Sequence, residues 1–201
     1  MKNITGLFDD YADGRAAVTA LEAAGIPSND ISIVSNNAAG QTVDDRSDVG
    51  EKAGAGAGIG AVVGGAGGLL TGLGLMAIPG VGPVVAAGWL AATAAGALAG
   101  AVAGGAAGGL IGALTDSGVP EEHAHVYAEG VRRGGTLVTA KVDDTKVDEA
   151  NAILKRSSWV DPVERRRAYT EQGWSTFDDK LAPYDSAAVQ QERDRYRRTG
   201  L

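Results

Sequence analysis

One uncharged stretch constrains the fold of this chain more than any other feature of its sequence. No residue between Lys52 and Asp116 carries a charge, so residues 53–115 form a single uncharged span. Twenty of the chain's 31 glycines lie inside this span, whereas the sequence on either side has an ordinary content of charged residues. The span therefore predicts a separate structural unit, inserted into an otherwise ordinary α/β sequence.

A turn divides the uncharged span into two arms. Residues 78–83 read Ile-Pro-Gly-Val-Gly-Pro. Two prolines and two glycines within six residues end a helix. At about 1.5 Å per residue, the arms before and after this turn are each long enough to cross a hydrocarbon core of about 30 Å. The span thus predicts an antiparallel helical hairpin.

Glycines recur every fourth residue in both arms. Spacing of four places them along one ridge of a helix, where the absence of side chains lets a second helix approach closely. The sequence therefore predicts that these ridges are the helix-packing residues of the hairpin. The two sets are Gly56, Gly60, Gly64, Gly68 and Gly72 in the first arm, and Gly96, Gly100, Gly104, Gly108 and Gly112 in the second.

The surroundings of such a hairpin are lipid or protein. In water each interior glycine costs about 1 kcal/mol of helix stability relative to alanine, whereas in lipid unpaired backbone groups are so costly that the helix is enforced. This favours a transmembrane hairpin. The alternative is a hairpin that is buried in a soluble homo-oligomer. A flexible linker is disfavoured, because the segment is poor in serine and has a regular period.

The flanking sequence predicts alternating strands and helices around the insertion. Val147, Ala150, Ile153 and Leu154 lie at helical spacing, and Ile31 and Ile33 alternate as in a strand. The predicted strands are Lys2–Phe8, Asp30–Ser35, Thr136–Val142 and Trp159–Val163, and the predicted helices run over residues 9–24, 120–133, 145–157 and 186–198.

This order predicts an α+β fold, a ferredoxin-like split β-α-β domain that is interrupted by the glycine-rich two-helix hairpin. The tail is expected to add a C-terminal helix. The predicted boundaries are 1–36 for the first half of the domain, 37–52 for a linker, 53–115 for the hairpin, 116–163 for the second half and 164–201 for the charged tail.

The sequence offers little for catalysis or for metal binding. It has no cysteine, and its two histidines, His123 and His125, lie two apart on a predicted helix with no clear third ligand. The formal net charge of -7 argues against general nucleic-acid binding. We expect no catalytic residues, no cofactor and no metal, and the sequence identifies no small-molecule substrate. Arg132 and Arg133 are expected to stabilise the end of their helix or to meet anionic head groups.

The charged tail carries three large aromatic residues, Trp174, Phe177 and Tyr184. Large aromatic side chains in a polar segment often serve as docking points, because their exposure to water is costly. They are therefore candidates for docking to a partner. The alternative is that they pack on the domain's own sheet.

Several segments resemble a known family, the bacterial general stress protein domain of the heat-induced stress protein type. The resemblance covers about residues 2–163 and rests on Gly6–Asp9, Ala23–Pro27, Ile31–Ser35, Ile78–Pro83 and Val126–Val138. It implies a bacterial origin, an association with stress and a membrane-embedded hairpin. It implies no established activity and assigns no functional residues.

Together these features predict a non-enzymatic, membrane-anchored general stress protein that acts as a self-associating scaffold. The expected partners are the lipid bilayer and other copies of the chain. Because the first residues lack the apolar core of a signal peptide, we expect the inner (cytoplasmic) membrane, with the folded parts facing the cytoplasm. The alternative is a soluble homo-oligomeric assembly protein that buries its glycine-rich hairpins.

Overall fold

A computed structural model of the protein describes residues 1–38, 74–78, 80–93 and 108–199. Its strands are β1 (Lys2–Phe8), β2 (Ile31–Asn36), β3 (Gly74–Ile78), β4 (Gly82–Ala87) and β5 (Thr136–Val142). Its helices are α1 (Tyr11–Ala23), α2 (Gly108–Asp116), α3 (Glu121–Arg132), α4 (Val147–Arg156), α5 (Pro162–Glu171) and α6 (Ser186–Thr199). Residues 89–93 are also helical, and short 3-10 turns cover Ser28–Asp30 and Asp144–Lys146.

The strands form one antiparallel sheet in the order β1-β5-β2-β4-β3. Strand β5 pairs with β1 from Phe8 opposite Thr136 to Lys2 opposite Val142, and with β2 through Ile31 opposite Ala140. The predicted halves of the domain therefore meet in one sheet, because β5 from the second half lies between two strands of the first. This confirms the predicted mixed α+β fold class.

Alternating side chains divide the core into two layers. Phe8, Ile33 and Val138 face a layer that is covered by α1 and α4. Their chain neighbours Leu7, Val34 and Leu137 face the opposite layer, which contains residues of α2 and α3. This alternation follows from the two-residue period of a strand. The predicted stripe on α4 is confirmed, with Ala150, Ile153 and Leu154 buried and Val147 packed beside them.

Strands β3 and β4 correct the prediction for the middle of the uncharged span. The sequence was expected to form helical arms around a turn at residues 78–83. Instead Ile78 pairs with Gly82 in a β-hairpin, and Val34 of β2 pairs with Ala86 of β4. The turn itself is confirmed, with the Val81 amide donating to the Ile78 carbonyl at 3.0 Å. Periodicity fails here because a strand buried on both faces is as continuously apolar as a buried helix.

The end of the second arm is helical, as predicted. It forms α2, which contains the ridge residues Gly108 and Gly112. A Cβ atom on Gly112 would find no atom of the described chain within 4 Å, so no described helix packs against that point of the ridge. The other eight ridge glycines, and most of the predicted linker, lie outside the described residues. Among the helices that the structure describes, none is both long enough and apolar enough to cross a membrane.

The predicted final strand over Trp159–Val163 is wrong. Only Val160 pairs with the sheet, through a single antiparallel bridge to Leu7. The Asp161 side chain then accepts hydrogen bonds from the amides of Val163 and Glu164 and begins α5. An Asp followed by proline at the first helical position is a helix start signal, and it outweighs the β-branched residues beside it.

Replacing Gly88 by alanine distinguishes the strand from the helix in this region. Gly88 has φ +89°, and a Cβ there would lie 2.3 Å from the Ile31 carbonyl oxygen. We expect Gly88→Ala to lower the free energy of unfolding by about 2 kcal/mol or more, measured by urea denaturation of the full chain. In a continuous helix the same change would stabilise by about 1 kcal/mol.

Gly112→Ala is the matched control, because Gly112 lies within α2 and its Cβ position is open. This variant should be neutral or stabilising by up to about 1 kcal/mol. Equal stabilisation by both substitutions would contradict the β4 assignment.

Candidate functional site

The C-terminal extension is an integral part of the fold rather than a free tail. Helix α5 begins directly after the Val160 bridge, and its Arg165 forms a bidentate ion pair with Asp9 at 2.7 and 3.0 Å. The guanidinium of Arg165 also stacks on the ring of Tyr196 from α6, 3.7 Å from the ring centroid. One arginine thus joins the end of β1 to both helices of the extension.

Arg133 is the centre of a second buried cluster, which we call the arginine network. Its guanidinium donates to Glu129 at 2.6 Å and to Gln172 at 2.6 Å, and lies 3.5 Å from Glu192. It also lies 4.2 Å from the ring centroid of Tyr169. Arg133, Glu129 and Glu192 are all at least 93% buried. Arg132 completes the network through a 3.1 Å bond to Glu129.

The chemistry of this network fits a structural role. Burial lowers the pKa of Arg133, but the charge of Glu129 and its hydrogen bond outweigh burial and leave the pKa above its ordinary value. Burial raises the pKa of Tyr169 to about 12, although Arg165 and Arg133 oppose the shift. Arg133 therefore stays charged and the Tyr169 phenol stays neutral at ordinary pH.

The structure places Trp174, Phe177 and Tyr184, the candidates for docking to a partner, against other residues of the chain. Trp174 is buried and packs edge-on against Tyr169 at 5.5 Å between ring centroids. Phe177 is buried in the core layer of α2 and α3. The ring of Tyr184 lies under the guanidinium of Arg132 at 5.2 Å. The alternative prediction was that these residues pack on the domain's own sheet. It describes Phe177, whose core layer includes sheet residues, whereas Trp174 packs among side chains of helices.

The segment between α5 and α6 lies against the β3–β4 turn. A Cβ on Gly80 would lie 2.5 Å from the Asp179 Cα atom, and a Cβ on Gly82 would lie 2.6 Å from Pro183. Both glycines have positive φ, at +73° and +95°. Glycine is therefore required twice over at this turn, by its backbone conformation and by the close approach of the tail.

A cleft of about 620 Å³ opens at the β1 edge of the sheet. It is lined by helices from both layers, α3 and α4, and by the segment that bridges to Leu7. Its chemistry-bearing residues are His123, Tyr127, Asp148, Lys155, Trp159 and Asp161. This volume falls in the range of small-molecule sites, which combine apolar walls with a few polar groups.

Tyr127 is the polar residue that is set deepest in the cleft wall. It is 96% buried, and its hydroxyl makes no hydrogen bond to any part of the chain that the structure describes. Burial raises the pKa of Tyr127 to about 12, and the nearby Asp161 carboxylate raises it further in the same direction. The phenol is therefore a neutral donor and acceptor at ordinary pH.

The histidines lie on one helix, α3, as the sequence indicated, and both are half-buried. His125 Nδ1 is 3.0 Å from the Thr176 hydroxyl, and His123 lies 6.4 Å from the Tyr127 ring. Within residues 1–38, 74–78, 80–93 and 108–199, no group of three or more His, Cys, Asp or Glu side chains could hold a metal ion. Sequence reasoning missed the cleft, because its residues come from three separate segments.

A scan against protein-family models finds no match, and searches of curated proteins and of solved structures find none either. The resemblance to the general stress protein family therefore stays a prediction.

Truncating Arg133 tests the structural role of the arginine network. Arg133→Met leaves Glu129 buried with only Arg132 as a partner, and breaking a buried ion pair costs about 3 kcal/mol. Urea denaturation should show a loss of this order, whereas Arg167→Met at an exposed position should cost under about 0.5 kcal/mol. The double variant Glu129→Gln/Arg133→Met should recover part of the loss; equal losses at both arginines would contradict the role.

The raised tyrosine pKa gives a pH dependence with a defined sign. Above pH 10 the unfolded chain releases the Tyr169 proton, while the folded chain keeps it until about pH 12. This contribution to stability is complete below pH 10 and falls by about 1.4 kcal/mol per pH unit between the two values. Urea denaturation from pH 9 to 11 should show a shallower decline for Tyr169→Phe than for the parent, and equal slopes would contradict the assignment.

Proposed function

We propose that this chain is a non-enzymatic, self-associating scaffold of a bacterial general stress response. The observation that carries the proposal is the position of the β3–β4 hairpin within the sheet. It divides the glycine-rich sequence into two segments, residues 39–73 and 94–107, and both begin and end at the folded domain. We propose that these segments provide the contacts between copies, through their glycines at four-residue spacing.

The topology supports a ferredoxin-like core as the scaffold's rigid part. Strand β5 lies between β1 and β2, and the Val160 bridge lies beside β1, as in a split β-α-β sheet. The two helices of that arrangement, α1 and α4, pack in the same core layer. On this proposal β3 and β4 extend the core at its open edge, while α2, α3 and the tail cover its second face.

Chain length favours contacts between copies over a bilayer crossing. A segment that leaves the sheet and returns to it must cross a membrane twice, which needs about 40 residues. Residues 53–73 supply 21 uncharged positions, and residues 94–107 are 14 in number. Both are too short for two crossings while β3 and β4 remain in the sheet.

A membrane-anchored scaffold is the second candidate, favoured by the full length of the uncharged span. If β3 and β4 leave the sheet, residues 53–115 are long enough for two crossings with the turn at 78–83 on the far side. Both halves of the domain would then face the cytoplasm from the inner membrane. This form requires the sheet to lose two of its five strands.

Leucine substitutions on the glycine ridges test self-association. Gly64→Leu and Gly104→Leu each place a bulky side chain where close backbone contact is proposed. Each should therefore reduce the number of copies in the oligomer by at least one. Size-exclusion chromatography with light scattering, in buffer without detergent, measures this. Val63→Leu, off the ridge, is the control. Unchanged order in the ridge variants, or equal loss in the control, would refute the proposed contacts.

Flotation with phosphatidylglycerol and phosphatidylethanolamine vesicles separates the two candidates. Contacts between copies predict an oligomer that stays at the bottom of the gradient. Recovery of the protein with the vesicles after a carbonate wash would reject that form in favour of the membrane-anchored one.

A further inference from the structure

We propose that the cleft between α3, α4 and residues 159–163 is a binding site for an organic cation, a ligand with an aliphatic ammonium or guanidinium group. The site is independent of the proposed scaffold function, because all of its lining residues belong to the folded domain. Three observations carry the proposal: the aromatic walls, the balance of charge, and the Tyr127 hydroxyl.

Aromatic rings form the walls of the cleft. His123 and Tyr127 come from α3, and Trp159 comes from the segment after α4. One edge of the Trp159 ring packs against Gly6 of β1. The two are so close that a Cβ atom added to Gly6 would lie only 2.9 Å from the Trp159 Cδ1 atom. A fixed indole ring attracts a cation to its face through the negative charge of the π system. The protein already shows this preference, because Lys155 Nζ lies 5.7 Å from the Trp159 ring centroid.

The charge of the lining selects a cation over an anion. Asp148 and Asp161 contribute two negative charges, and Lys155 contributes one positive charge, which leaves a net charge of -1 with neutral histidine. The Oδ1 atom of Asp161 accepts hydrogen bonds from the Val163 and Glu164 amides at the start of α5. These bonds fix the position of the carboxylate. Lys155 is exposed and can swing away from the indole, so it competes with a ligand but does not block the site.

The Tyr127 hydroxyl gives the site a polar group without a partner in the described chain. The hydroxyl oxygen of Tyr127 is not among the fully enclosed polar atoms that lack a partner in the described chain, so it is open to the cleft, where it can donate to or accept from a ligand. Tyr127 lines the cleft and is 96% buried. A ligand polar group at this depth would satisfy the hydroxyl, while its cationic group meets Trp159 and the Asp161 carboxylate.

The test is titration of the full-length protein with spermidine, followed by calorimetry and by the NMR signal of the Trp159 indole N–H. Glutarate is the anionic counterpart. The proposal expects saturable binding of spermidine with a shift of the Trp159 signal, and no such shift with glutarate. Absence of saturable spermidine binding, or a stronger response to glutarate, overturns it.

Four variants test whether spermidine binds in the cleft. Tyr127→Phe removes only the hydroxyl and should weaken spermidine binding about threefold or more. Trp159→Ala and Asp161→Asn should each weaken it about fivefold, and asparagine still caps α5. Lys155→Met removes the competing ammonium from an exposed position, so it should tighten binding about twofold and leave the fold intact.

Glu171→Gln is the matched control, because it removes one exposed acid outside the cleft. The proposal expects no change in affinity. A loss equal to that of Asp161→Asn would show attraction to the acidic surface in general and would overturn the site. Weaker spermidine binding by Lys155→Met would mean that the Lys155 ammonium does not compete with the ligand, and it would overturn the placement of the cation beside Trp159.

Discussion

The antiparallel pairing of β5 with both β1 and β2 is the interaction on which the rest of this structure depends. These three strands form the centre of the sheet, and β5 comes more than a hundred residues after β1 along the chain. β1 therefore cannot join the other strands in one sheet until β5, which follows the uncharged span, lies between β1 and β2.

The second face of the sheet shows how the chain covers the apolar surface that this pairing creates. In a two-layer fold, that face would be left to water. Here α2, α3 and residues 89–93 pack on it, and Phe177 from the tail joins the same layer. The tail is fixed in place by charges rather than by apolar area alone: Arg165 holds Asp9, and Arg133 holds Glu129 and Glu192. Removing either partner of such a pair would leave the other charge buried without a counter-ion, so these pairs disfavour other placements of the tail.

Local signals predicted much of the fold. The β1, β2 and β5 strands, the α4 stripe and the α6 helix followed from short-range periodicity, helix starts and glycine stops, all of which act within a few residues. The Asp161–Pro162 helix start is equally local, and it was overridden in the prediction by the β-branched residues beside it. The arginine network and the cleft could not be predicted in this way, because Arg133, Gln172 and Glu192 meet only after three helices have packed.

The sequence by itself determined that this chain has an α+β domain, a glycine-rich uncharged insertion and a turn at residues 78–83, because these depend on composition and on local backbone preference. Only the tertiary structure decided that residues 74–78 and 82–87 are strands. An apolar, glycine-rich run satisfies its backbone equally well within a helix or beside another strand, and here β2 offers an edge on which β4 pairs. The same holds for Trp174 and Phe177, whose burial depends on a surface that other segments of the chain build.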